Sequence, residues 1–459
     1  MGSVEGEELR EREYGKMDNE SGYFLVTGNP FVDAGIYAIE AFYKKDFSLL
    51  TPEDLKKKLD FLVDLYLTEG WKKNLYSIFT GNSKFTNPSI KDKKKSSMEY
   101  LMGLLHEFSL PKKCGNCIAC GKRDATPSKK RDEIPLTGSG KLINFFAGAS
   151  RGERYCPVCT FSVQFLPLIL YSLGGYMMLM HSVSSKIMRL FAKRGYENIL
   201  RQVLTRDYKG CINEGYTNSE NAMFHIIEEI TREREEVYSE ENPSITAYIF
   251  SNYGQNPPPM RIIYLPNNVF RFLVYVNRID FLKWKNIVNK GLKKIKSEED
   301  IKKKRNEVYL KLLNGDSIVG YFLEKDRSIC GNWEILSYYL KEVRNMNEKR
   351  IEILKRIGDK IADYIRKTDN TKRLFALETV KSYEALRNIF LKITKDMITS
   401  GMEGPLFSTD EYLNDLFPEG ALNWKETRDI LLFRIYENLA DYLREKKGLI
   451  KETDLKEEE

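Results

Sequence analysis

The chain has 459 residues, 42% of them apolar and 30% charged, with a net charge of +7. At about 150 residues per domain this length holds roughly two to four domains, and the apolar fraction excludes a disordered or fibrous chain. Eleven Lys or Arg against four Asp or Glu fall within residues 281–311, an excess equal to that of the whole chain. A local basic stripe is what phosphate backbones attract, and a solvated helix face is the plain alternative.

Residues 1–22 are rich in Glu and Arg and lack the apolar stretch of a signal peptide, so they read as a flexible lead. A cytoplasmic, reducing setting is expected, in which paired cysteines mean metal more often than disulfide. Residues 23–27 (YFLVT) predict a strand that runs into the turn at Gly28-Asn29-Pro30, and residues 32–43 a helix. Thr51-Pro52-Glu53-Asp54 opens another helix with Thr as N-cap; Leu55, Leu59, Leu62 and Tyr66 share its face, and Gly70 is expected to end it. Residues 81–97 read as a polar, basic loop.

Residues 161–180 are uncharged over a spanning length, but Gln164, Pro167, Gly174 and Gly175 interrupt them, so a buried core element is expected rather than a membrane span. Helices are predicted over 183–205 and 222–238, and strands over 244–251 and 261–265. Residues 270–276 fit either a strand or the start of a basic helix. From residue 347 strand patterns vanish. Ile351, Leu354, Ile357, Ile361 and Ile365 mark one helix, and Leu374, Leu377, Tyr383, Leu386, Phe390 and Ile393 a second. Ser408 to Glu411 form a capping box for a short third, and a fourth opens at 423–426 and ends at Gly448.

The expected fold is α+β: a large mixed domain with an inserted zinc-ribbon-like module and a C-terminal helical bundle. Its parts are the lead (1–22), an N-terminal α+β part (23–109), a zinc-binding insert (110–160), the rest of the α+β domain with the basic stretch (161–345), and the bundle (346–459).

The strongest chemical signal is Cys114-Gly-Asn-Cys117-Ile-Ala-Cys120-Gly121, followed by Cys156-Pro-Val-Cys159. Two CxxC turns each offer two thiolates to one tetrahedral zinc. Cys117, Cys120, Cys156 and Cys159 are the expected ligands, because Gly121 lets the backbone turn around the ion; Cys114 is the alternative ligand. Four thiolates leave no open position, so the zinc is structural and no catalytic residue is expected. Cys211 and Cys330 stand alone and read as buried apolar thiols. The three histidines, His106, His181 and His225, form no metal-binding His-Asp pair. Residues 137–142 (TGSGKL) mimic the end of a phosphate-binding loop, but Leu142 replaces the hydroxyl that magnesium needs.

Residues 27–35 (TGNPFVDAG), Cys117-x-x-Cys120 and Cys156-x-x-Cys159 together resemble the CRISPR-associated CXXC–CXXC protein family, the large subunit of type I-B-like Cascade complexes. The resemblance implies a non-catalytic subunit of an antiviral ribonucleoprotein. Such a subunit binds the 5′ handle of the guide RNA and the target double-stranded DNA and reads the motif flanking the target. Its implied partners are the other Cascade subunits, including the backbone, handle-binding and small subunits, and the helicase–nuclease that it helps recruit; no membrane is involved. Sequence recognition itself is delegated to base pairing. A stand-alone zinc-ribbon protein binding RNA or DNA is the alternative.

Base edges are read by amides, and phosphates are held by Lys and Arg. The Pro-stiffened loop offers Asn252, Gln255 and Asn256; the basic stretch offers Lys283, Lys285, Lys290, Lys293, Lys294, Lys302, Lys303 and Arg305. Lys341-Glu342-Val343 can be encoded by a ribosome-binding sequence at workable spacing before Met346, so the bundle is also expected as a separate small subunit.

Overall fold

The structure is a computed structural model. It describes residues 22–109, 115–138, 151–233, 242–253, 260–293, 297–322 and 333–456. In chain order the main elements are α1 (Pro30–Tyr43), α2 (Pro52–Lys56), α3 (Leu59–Tyr66), α4 (Glu69–Phe79), α5 (Lys93–His106), β1 (Thr126–Lys129), β2 (Glu153–Tyr155), α6 (Pro157–Val163), β3 (Tyr171–Leu173) and β4 (Tyr176–His181). There follow α7 (Ser185–Thr205), α8 (Ser219–Glu233), β5 (Thr246–Phe250), β6 (Met260–Tyr264), α9 (Asn267–Lys290), α10 (Glu298–Lys303), α11 (Glu307–Asn314), α12 (Trp333–Glu342), α13 (Glu348–Thr368), α14 (Thr371–Thr379), α15 (Tyr383–Thr399) and α16 (Trp424–Lys456). The chain divides into two compact units, Met1–Asn267 with Lys296–Lys304, and Asn268–Ile295 with Arg305–Glu459.

The first unit is mixed. Strands β3 to β6 form an antiparallel sheet in sequence order, and β1 pairs with β2 in a separate ribbon. Helix α1 is buried along most of its length. It begins where Asn29 Oδ1 accepts the amides of Phe31 and Val32 at 3.1 and 3.2 Å. Asp33, 1% exposed, folds back and accepts the Thr27 and Gly28 amides at 2.7 and 2.9 Å, with Gly28 at φ +82°. Gly35 then lets α1 lie directly against α6: a Cβ there would sit 2.0 Å from the carbonyl oxygen of Ser162. The TGNPFVDAG stretch is thus a helix start and a close-packing point.

Residues 23–27 are not a strand; they run without a sheet partner, and Tyr23 and Phe24 pack on Phe108. The helix expected from Thr51 is split into α2 and α3, yet Leu55, Leu59, Leu62 and Tyr66 are all fully buried. Gly70 does not end a helix but lies within α4, where a Cβ would meet the Tyr208 carbonyl at 2.0 Å. The basic run expected as a loop starts α5 instead: Asp92 caps it, and Lys94 pairs with Asp60 and Asp64 at 3.0 and 2.7 Å. The uncharged segment is the end of α6, a 3-10 turn and the β3–β4 hairpin, with Gly174 and Gly175 at positive φ in its turn. Among the described residues no helix is long and apolar enough to cross a membrane.

The second unit is helical. Residues 270–276 lie in α9, which breaks at Asp280 (ψ 86°); Asp280 Oδ1 accepts the Lys283 amide at 3.0 Å and restarts the helix. Phe272, Trp284 and Tyr339 form an aromatic core. Helix α13 buries Ile351, Leu354, Ile357, Ile361 and Ile365 and packs along α16. The expected second bundle helix is two, α14 and α15, and α16 runs through Gly448 rather than ending there. The helices after Met346 share this unit with residues 268–295 and 305–345. Across 346 they are tied by Arg344, whose Nε donates to Glu426 Oε1 at 2.8 Å.

Candidate metal centre

The ribbon and helix α6 bring four sulfurs together. Asn116 bridges to Asp124 across a tight hairpin, and the Cys117 amide donates to the Arg123 carbonyl at 2.8 Å. Gly121, at φ +66°, turns back so that its amide donates to the Cys117 carbonyl at 2.8 Å. The amides of Cys120 and Lys122 are directed at the sulfurs of Cys117 and Cys120. Strand β2 carries the chain to the second pair, and Ile118 N donates to the Arg154 carbonyl at 2.9 Å, joining the two halves. Cys156 is the N-cap of α6, Pro157 its first residue, and the Cys159 amide donates to Cys156 Sγ at 3.3 Å.

The sulfurs of Cys117, Cys120, Cys156 and Cys159 all lie within 4.8 Å of one another, and Cys120 Sγ is 4.0 Å from Cys156 Sγ. A tetrahedral ion with bonds of about 2.3 Å holds its sulfurs about 3.8 Å apart, whereas a disulfide needs about 2.05 Å. The four thiols are free, three of them buried and Cys120 partly open. Crowding splits their acidity. Hydrogen bonds from Cys117 first, then Cys156 and Cys159, hold the Cys120 thiol well down. Sharing a proton with Cys117 first, then with Cys120 and Cys156, pushes Cys159 up. Burial and the neighbouring Cys117 push the Tyr155 hydroxyl up to about 12. A dication would discharge this strain by replacing the shared protons. The donor set therefore fits a metal, in the Cys117–Cys120 register; Cys114 lies outside the described residues.

The model of the CRISPR-associated protein family Cas_CXXC_CXXC matches residues 111–171. All four cysteines fall inside the matched stretch. The matched CXXC–CXXC stretch runs from the first knuckle through α6 to the start of β3, so it includes every element that places a sulfur. No curated protein and no solved structure matches the chain.

Around the CXXC–CXXC module, the structure reassigns one expected nucleic-acid contact. Asn252 is fully buried; its Nδ2 donates to the carbonyls of Ile78 and Arg131 at 2.8 Å each. It clamps the segment after β1 to α4 and presents no amide to a base. Gln164, at the end of α6, acts alike, donating to the Glu133 and Thr160 carbonyls at 3.0 and 2.9 Å. The sequence signal for both clamps is weak: a lone amide beside apolar neighbours. Gln255 and Asn256 lie outside the described residues, as do Lys294 and Cys330.

The basic stretch is not one helix face. Lys283, Lys285 and Lys290 are on α9 with Lys293 just beyond it, Lys302 and Lys303 on α10, and Arg305 follows, the stretch being shared between the two units. Much of its charge is answered locally: Lys283 pairs with Asp280 at 3.0 Å, Lys303 with Glu299 at 2.7 Å, and Lys302 Nζ donates to the Glu214 carbonyl at 2.8 Å. Lys285 lies over the Phe281 ring at 5.3 Å. Lys293, Lys303 and Arg305 are exposed. Cys211 is a buried thiol, as expected, donating to the Pro167 carbonyl.

Proposed function

We propose that this chain is the non-catalytic large subunit of a type I, I-B-like, CRISPR surveillance complex, acting in the cytoplasm in antiviral defence. The observation that carries the reading is the four-sulfur module at 117–159, in a stretch matching a CRISPR-associated family. In this reading the ion is zinc. Its four thiolate ligands leave no position for an activated water, so it fixes the ribbon against α6 and does no hydrolysis.

The subunit holds the guide RNA 5′ handle and target DNA, reads the flanking motif, and helps recruit the helicase–nuclease. Exposed Lys293, and Lys283, Lys303 and Arg305 once released from their acid partners, serve as phosphate contacts, an interaction that weakens steeply with salt. A second product starting at Met346 would supply α13 to α16 as a small subunit; without Arg344 it must neutralise Glu426, 4% exposed, in another way.

The test is affinity purification of the full chain from its host, followed by sequencing of bound RNA. Guide RNA with repeat-derived ends, together with further Cascade subunits, is expected. A zinc-loaded chain that brings down heterogeneous RNA or DNA and no such partner would be the stand-alone zinc-ribbon protein instead.

A further inference from the structure

A second cluster of ligating groups lies in the first unit, built from residues with no part in the sulfur module. His225 and Glu229 are one turn apart on α8, and Glu214 comes from the loop that precedes it. His225 Nε2 is 3.3 Å from Glu214 Oε2 and 3.6 Å from Glu229 Oε2, and the three ligating atoms all lie within 4.8 Å of one another. The imidazole is held by the Tyr216 ring, centroid to centroid 5.0 Å, and Tyr216 lies beside Lys302, whose ammonium is 5.6 Å from its centroid. Arg194 on α7 supports the carboxylates, pairing with Glu214 Oε1 at 2.5 Å and with Glu229. The side chains of His225, Glu214 and Glu229 remain 29%, 25% and 24% exposed, so an ion can reach them from solvent.

Two observations separate this arrangement from an ordinary ion-pair network. Arg194 takes Glu214 by Oε1, which leaves Oε2 turned to the imidazole, while on Glu229 it shares Oε2 with the imidazole. Tyr171, 3% exposed, has a hydroxyl with no hydrogen-bond partner. The Arg194 guanidinium lies 6.0 Å from its ring, and burial first, then the charges of Glu214 and Glu229, push the hydroxyl's acidity down. A buried hydroxyl without a partner is destabilising, and water brought in with a bound ion is the kind of group that relieves it.

We propose that Glu214, His225 and Glu229 form a second metal site, for a divalent first-row cation with oxygen and imidazole ligands. Two carboxylates and one imidazole suit manganous or ferrous ions and leave positions for water. Arg194 is the positioning residue: it pairs with both carboxylates. The sequence sign is the His225-x-x-x-Glu229 spacing, which places both side chains on one helix face.

Manganese discriminates this site from the sulfur module, since thiolates bind it poorly. The full-length protein, with its tightly held metal left in place, is titrated with Mn2+ and followed by the EPR signal of the free ion. One bound equivalent is expected, with pulsed-EPR coupling to an imidazole nitrogen. His225→Gln and Glu229→Gln should each weaken it at least tenfold, with the far-UV circular dichroism unchanged. If a variant fails to fold, the nitrogen coupling in the unmodified protein decides alone. No bound Mn2+, binding without nitrogen coupling, or folded variants that bind as well as the parent would overturn the proposal and leave Arg194 as the counterion of a structural pair of glutamates.

Discussion

Replacing Gly35 with Ala adds one methyl where α1 and α6 touch backbone to backbone. Its carbon would lie 2.0 Å from Ser162 O, 2.5 Å from Ser162 C and 3.2 Å from Val163 N, so the helices must separate by more than an ångström. Overpacking of this kind costs about 1–3 kcal/mol, and rigid backbone on the far side puts Gly35→Ala at the upper end. Ala is intrinsically favoured over Gly in a helix by about 1 kcal/mol, which offsets part of the loss. Gly103→Ala isolates that offset. Gly103 lies within α5, exposed, and a methyl added there would meet nothing within 4 Å, so this change should stabilise by about 0.5–1 kcal/mol. Because α6 starts at Cys156 and carries Cys159, separation of the helices also moves two of the four sulfurs. Metal centres tolerate ligand shifts of only about 0.2 Å, so zinc affinity should drop at least about tenfold in Gly35→Ala alone. Urea denaturation and zinc competition with a chromophoric chelator measure both effects. Equal stability of the two variants, or unchanged zinc affinity in Gly35→Ala, would refute the seating of the cysteine-bearing helix by the TGNPFVDAG stretch.

Asn252→Ala removes the clamp on the Ile78 and Arg131 carbonyls and should cost about 2–3 kcal/mol in denaturation experiments, in contrast to the small effect of an exposed amide. Arg344→Met strands the Glu426 carboxylate, whose side chain is 4% exposed, and should destabilise the helical unit by about 3 kcal/mol; adding Glu426→Gln should recover much of it. Burial alone would raise the Glu220 carboxyl, but the hydrogen bond from Arg261 overrides it and holds it below its ordinary 4.5. Its contribution is therefore complete above pH 4.5 and is lost as the pH falls through the lowered folded value; Glu220→Gln should flatten stability against pH in that acid range.

The sequence was most legible where a local rule acts alone. Thr51 caps α2 with a reciprocal bond to Asp54, and Ser408 does the same with Glu411, because capping needs only residues three apart. The cysteine register was readable for the same reason: Gly121 is the turn that two ligands on one knuckle require. Readings failed where distant contacts decide. Gly70 reads as a helix end, yet what requires glycine there is the approach of the Tyr208 backbone. Asn252 reads as an exposed loop amide, yet α4 and the segment after β1 close over it. The basic stretch looks continuous in sequence because its acids, Asp280 and Glu299, sit one helical turn from the lysines they answer. Glu214 is joined to His225 and Glu229 only by folding, so no spacing announces the trio.

The most direct test of the account is X-ray absorption at the zinc edge on the protein as purified from zinc-sufficient cells. One zinc per chain with four sulfurs at about 2.3 Å is expected, because Cys117, Cys120, Cys156 and Cys159 converge on one point. A metal-free chain, or a zinc whose shell is made of nitrogen and oxygen, would contradict it.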